Sequence, residues 1–131
     1  MFKRVAIVGV GFMGGSFSFA LQSCFPCEVF GVDINPTALE RAKALGAIQE
    51  GSTNLEKLSH FRPELVVLAT PVRTFEGIAK GLKDILPPRT VITDLGSVKG
   101  HIVYRMEEIL GENFVGGHPI AGTEKSGVET A

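Results

Sequence analysis

No uninterrupted apolar run in this 131-residue chain approaches the ~20 residues that cross a bilayer, so the sequence holds no helical membrane span. Excess charge is missing too. Lys and Arg number 13 against 14 Asp and Glu, a net charge of −1, which gives no electrostatic case for nucleic acid or an anionic membrane as partner. Cysteine is scarce, occurring only in Cys24-Phe25-Pro26-Cys27. No second pair accompanies it and the histidines lie far off in sequence, so a zinc site lacks its other ligands. A thioredoxin-like pair sits at a helix start, whereas this one falls at the end of the first predicted helix. Two buried, reduced thiols flanking a Phe-Pro turn are expected instead. Internal repeats and low-complexity segments are absent.

What is present has the proportions of one globular domain, residues 1–131. Apolar residues make up 44% and charged residues 21% of the chain. That length suffices to bury about two-thirds of the unfolded surface. The apolar runs at 5–8, 29–32, 65–68, 91–92 and 114–115 are short, unalternating and rich in Val and Ile. Strands buried on both faces of a parallel sheet read this way. A further short strand is predicted at 47–51.

Helical spacing fills the gaps. Met13, Phe17, Ala20, Leu21 and Cys24 fall on one face of a first helix. Ala38, Leu39, Ala42 and Leu45 mark a second, with Asn35 as N-cap, Pro36 at its first position and Gly46 beyond its end. Further helices are predicted at 54–58, 74–86 and 98–110, the fourth stopped by Pro87-Pro88. Strand and helix alternate throughout. With right-handed crossovers the pattern gives an α/β fold: a Rossmann-type, doubly wound, mostly parallel sheet with helices on both faces.

Gly9-Val10-Gly11-Phe12-Met13-Gly14 follows the first strand and opens the first helix, and Asp33 ends the second strand. The first glycine allows a tight turn, the second lets backbone approach a pyrophosphate, and the third lets helix pack closely on sheet. The carboxylate stands roughly 20 residues on, where a ribose hydroxyl needs an acceptor. Asp33 would also repel a 2′-phosphate, and Ile34-Asn35-Pro36 offers no cation to neutralise one. NAD is therefore favoured over NADP. Lys3-Arg4 and the apolar stretch ending at Leu21-Gln22-Ser23-Cys24 imitate a lipoprotein signal. Gly9, Gly11, Gly14 and Gly15 interrupt that stretch where a nucleotide loop needs them, so a cytoplasmic protein is expected.

Ligands of such sheets lie beyond the carboxyl ends of the strands. Those positions hold the glycine turn, Asp33, Thr70-Pro71-Val72, Asp94-Leu95-Gly96-Ser97 and Gly116-Gly117-His118-Pro119. His118 is the candidate base, because imidazole titrates near neutral pH and could take a hydroxyl proton as hydride leaves the same carbon. Its plainer alternative is a turn-capping side chain. Ser97 suits an N-cap of the fifth helix or a hydrogen bond to substrate or nicotinamide. Surface positions suffice for His60 and His101, Lys99 reads as a solvated helix side chain, and Thr123-Glu124-Lys125 forms a polar rim.

Gly9–Gly14 with Asp33, the stretch Thr93-Asp94-Leu95-Gly96-Ser97-Val98-Lys99, and Gly117-His118-Pro119-Ile120-Ala121-Gly122-Thr123-Glu124-Lys125-Ser126-Gly127 together resemble the prephenate dehydrogenase family over nearly the whole chain. The block around His118 is far more specific than the glycine fingerprint. The resemblance implies NAD-dependent oxidative decarboxylation of prephenate, or of its amino analogue arogenate, toward tyrosine. It implies His118 as the catalytic base, Ser97 orienting the substrate hydroxyl, and Thr123 and Glu124 lining the substrate pocket. Gly9, Gly11, Phe12, Met13, Gly14, Asp33, Thr70, Pro71 and Val72 would hold the cofactor, and no metal is expected. In the family a helical second domain follows, makes the homodimer and supplies groups for the substrate carboxylates. Here no arginine is obviously placed to grip a dicarboxylate. The chain is expected to be a truncated cofactor domain, inactive alone. A β-hydroxyacid dehydrogenase also uses G-x-G-x-M-G but has no counterpart of the His118 block. A non-catalytic NAD-binding module is the remaining alternative.

Overall fold

The computed structural model describes residues 2–95 and 100–116. Five parallel strands form one sheet: β1 (Arg4–Val8), β2 (Glu28–Val32), β3 (Glu50–Ser52), β4 (Leu65–Leu68) and β5 (Val91–Asp94), in the order β3-β2-β1-β4-β5. The order reverses between β1 and β4, as a doubly wound sheet requires. The predicted strand at 114–115 contributes one parallel bridge, Phe114 with Ile92, reinforced by Val115 N–H donating to Ile92 O at 2.8 Å.

The helices divide between the two faces. Helices α1 (Phe12–Cys24) and α2 (Pro36–Ala44) cover one face, where Val5, Ile7, Val29 and Val67 meet Leu39, Ala42, Phe17 and Leu21. Helices α3 (Leu58–Phe61), α4 (Phe75–Lys83) and α5 (Gly100–Leu110) cover the other, where Ala6, Val8, Val66 and Ile92 meet Leu58, Phe75, Leu82 and Met106. Alternate residues of β1, β2, β4 and β5 thus feed opposite cores, which explains the unbroken apolar runs. Outside the core, Arg105 of α5 and Lys80 both pair with Glu76 of α4 and hold its carboxyl down at about 2.

Several predicted details are corrected. Of the proposed α1 stripe, Phe17 and Leu21 pack on the core, but Met13, Ala20 and Cys24 are exposed. The buried row is Gly14 and Ser18. A small-residue row lets the helix sit directly on the sheet, and Ser18 Oγ donates to Ala47 O beneath it. Cys24 is therefore not a buried thiol. Cys27 is half-buried and precedes β2, its pKa raised by that burial.

The third strand begins at Glu50 rather than 47. Ala47 and Ile48 instead turn inward, and Ile48 covers the side-chain-free Gly31: a Cβ built there would lie 2.9 Å from Ile48 Cδ1. The third predicted helix is a 3₁₀ turn, Leu55–Lys57, capped by Asn54 and continued by α3. The fourth is shorter than 74–86, with Val72–Thr74 forming a 3₁₀ turn before α4.

Thr93 is 1% exposed, and its Oγ1 has no hydrogen-bond partner among the described residues. Removing an unpaired buried hydroxyl while keeping the side-chain shape relieves a desolvation cost. Thr93→Val is expected to gain roughly 1 kcal/mol in denaturant unfolding. A loss of stability would show that the hydroxyl has a partner in solution.

Candidate dinucleotide site

The carboxyl ends of β1, β2 and β4 meet at the point where strand order reverses, and the glycine turn lies there. Gly9 has φ of +96°, a conformation that L side chains rarely adopt. Its N–H donates to Val32 O at 2.7 Å, tying the turn to the end of β2. Thr70 of the β4 loop presses on it from the other side, since a Cβ built on Gly9 would lie 2.9 Å from Thr70 Cγ2.

The three motif glycines have three different reasons. A Cβ on Gly14 would fall 1.9 Å from Gly9 O, so α1 crosses the turn at a distance only glycine permits. Gly11 is different: its φ is −68°, and among the described residues nothing lies within 4 Å of a Cβ built there. Neither strain nor packing demands glycine at that position. The open space is what a pyrophosphate passing against the backbone would need.

Gly11 is also the N-cap of α1, with no side chain capping it and no acid in the first turn. The unpaired N–H groups there, with the positive end of the helix dipole, suit an anionic phosphate. Phe12 and Met13 stand exposed at 89% and 62% beside them, apolar surface flanking the turn. A hollow of about 390 Å³ between α1 and α2 borders the same turn and is lined in part by Gly11, Phe12 and Arg41.

Asp33 directly follows β2 and is half-buried. Its Oδ2 accepts from Val10 N–H at 3.0 Å and its Oδ1 from Asn35 N–H at 2.9 Å. Asn35 in turn caps α2, accepting from Thr37 N–H at 2.9 Å, with Pro36 in the first turn as predicted. Sequence reasoning missed Val10 as a member of this site. No local pattern signals it, because the bond joins two loops 23 positions apart. On the β4 side, Thr74 Oγ1 bonds both Thr70 Oγ1 (2.7 Å) and Pro71 O (2.6 Å), fixing the Thr70-Pro71-Val72 segment.

Gly9, Gly11, Phe12, Met13, Gly14, Asp33, Thr70, Pro71 and Val72 are thus gathered along one sheet edge. Ser97, His118, Thr123 and Glu124 lie outside the described residues. Asp94 is fully buried at the end of β5. His60 is exposed, 3.3 Å from Ser59 Oγ, in a separate hollow by α3. Among the described residues no cluster of metal-binding side chains occurs, and no helix is long and apolar enough to cross a membrane.

A glycine turn at the switch point of a doubly wound parallel sheet, with a carboxylate ending the next strand, defines a nucleotide-binding Rossmann domain. A model of the prephenate dehydrogenase nucleotide-binding domain matches residues 19–131, and the chain belongs to that family. It is 32% identical over 136 residues to prephenate dehydrogenase of Bacillus subtilis, covering 100% of this chain and 36% of that enzyme. Cyclohexadienyl dehydrogenase of Zymomonas mobilis is 30% identical over 97% of this chain and 44% of its own length. Among solved structures, prephenate dehydrogenase of Aquifex aeolicus, in complex with hydroxyphenyl propionate and NAD+, superposes with a TM-score of 0.85 at 56% identity. That match covers 98% of this chain and 45% of the Aquifex chain. The chain therefore spans less than half the length of these relatives.

Proposed function

We propose that this chain is the NAD-binding domain of a prephenate dehydrogenase and carries that enzyme's catalytic base. The observation that carries the cofactor assignment is Asp33 beside the glycine turn. A carboxylate there accepts from ribose hydroxyls and repels a 2′-phosphate, while the open space at Gly11 fits a pyrophosphate. The Aquifex relative's NAD+ complex supports the same choice.

Bound at this edge, NAD would supply the hydride acceptor. His118 takes the proton from the ring hydroxyl of prephenate as hydride leaves that carbon. The ring carboxylate then departs as CO2, its bonding pair enters the ring, and the proton returns from His118 to the resulting phenolate oxygen. Aromatisation drives the step, so the protein has mainly to align two carbons and manage one proton. Ser97 orients the hydroxyl, and Thr123 and Glu124 face the substrate. Arogenate differs from prephenate only away from the reacting carbon, so these residues serve either substrate. The whole protein is proposed to be a homodimer built through a further helical domain.

Calorimetric titration tests the cofactor assignment. NAD should bind more tightly than NADP, and Asp33→Ser should narrow that preference by removing the charge that opposes the 2′-phosphate. Equal or tighter binding of NADP by the native protein would reverse the assignment.

A further inference from the structure

We propose that Asp33 is a latch for the glycine turn as well as an acceptor for ribose, so that its carboxylate holds the phosphate cradle in shape before any cofactor arrives. The proposal rests on reading this edge as an NAD site and adds a second duty to one residue in it.

The geometry separates the two duties. Val10 is 5% exposed and its N–H donates to Asp33 Oδ2 at 3.0 Å, so that bond exists with no ligand in place. Together with Gly9 N–H on Val32 O, this bond gives the turn two ties to the end of β2. The other oxygen holds Asn35 N–H, and Asn35 is the cap of α2. One carboxylate therefore joins the β1–α1 turn to the β2–α2 turn without any ligand. An ionised carboxylate offers about four acceptor positions. Two are filled here, leaving two for a pair of ribose hydroxyls. Ribose binding then completes the coordination of Asp33 and leaves the latch closed.

Replacing Asp33 by an apolar side chain leaves the Val10 N–H as a buried donor without an acceptor. The turn must distort to find water, and the Gly11 backbone moves with it. Asp33 variants should therefore lose affinity even for a ligand that makes no ribose contact. A residue serving ribose alone would leave such a ligand untouched.

The test uses the full chain, NAD, and the NAD analogue lacking both hydroxyls on its adenosine ribose. Asp33→Ala should bind the dideoxy analogue roughly tenfold more weakly than the native protein does. In the absence of ligand its Val10 amide should exchange faster, with amides of α4 and α5 unchanged. Asp33→Asn keeps one acceptor oxygen and should show a smaller loss with the analogue, which preserves the test if the alanine variant folds poorly. Equal binding of the analogue by native and variant proteins, with unaltered Val10 exchange, would overturn the latch. Failure of the native protein to bind NAD would instead remove the cofactor reading, while Val10 exchange would still report on the latch.

Discussion

His118→Asn, made in the complete polypeptide, is expected to lower turnover of prephenate roughly 10³-fold while NAD affinity stays as it was. Asparagine approximates the shape of imidazole and keeps a hydrogen bond to the substrate hydroxyl, but it cannot accept the proton. Hydride would then have to leave a carbon whose oxygen is still protonated. The same role fixes a pH signature. The base must be neutral to act, so kcat/KM of the native enzyme should rise through the range where imidazoles deprotonate, ~6–7. That limb should vanish in the variant. Unchanged turnover would leave His118 as a turn-forming residue. Loss of NAD binding would move it from the proton to the cofactor.

The sequence patterns that translated directly into structure are those with a local physical cause. Asn35-Pro36 opening α2 and Gly46 beyond its end depend on caps within a few residues, and both occur, Gly46 with φ of +82°. The apolar runs became β1, β2, β4 and β5 because a strand buried on both faces needs no partner information to be recognised. Gly9 and Gly14 were legible for the same reason: a positive φ and a helix crossing close over the turn are demands that glycine alone meets.

Tertiary causes were not legible. Apolar spacing placed Met13 and Cys24 against the core, yet α1 packs through Gly14 and Ser18, where smallness rather than hydrophobicity sets the contact. Exposed Phe12 and Met13 then satisfy no core, and helical periodicity has no means of telling such residues from buried ones. The start of β3 depended on Ile48 filling the room above Gly31, a contact between segments that do not neighbour one another in sequence. The Val10–Asp33 bond belongs to the same class. The residues proposed for the cofactor edge could be listed from sequence, and packing decided what each of them touches.

Adjacent glycines should give opposite results when each is replaced by alanine. Gly14→Ala puts a methyl 1.9 Å from the carbonyl oxygen of Gly9, backbone against backbone, with no flexible side chain to yield. The helix must lift off the turn. Unfolding in denaturant should show a loss of about 3 kcal/mol, the upper end of ordinary overpacking, and calorimetry should show no NAD binding. Gly15→Ala meets nothing closer than Val10 O at 3.7 Å, within a helix. There alanine should gain about 0.5–1 kcal/mol from helix propensity. Gly11→Ala separates ligand from fold. Its φ of −68° accepts alanine and no atom of the described residues obstructs the methyl, so stability should hold. The methyl would nevertheless occupy the space through which a pyrophosphate approaches the backbone, so NAD affinity should fall. Native-like binding by Gly11→Ala would mean that the dinucleotide takes another path, and a stable, NAD-binding Gly14→Ala would mean that helix and turn lie farther apart than described.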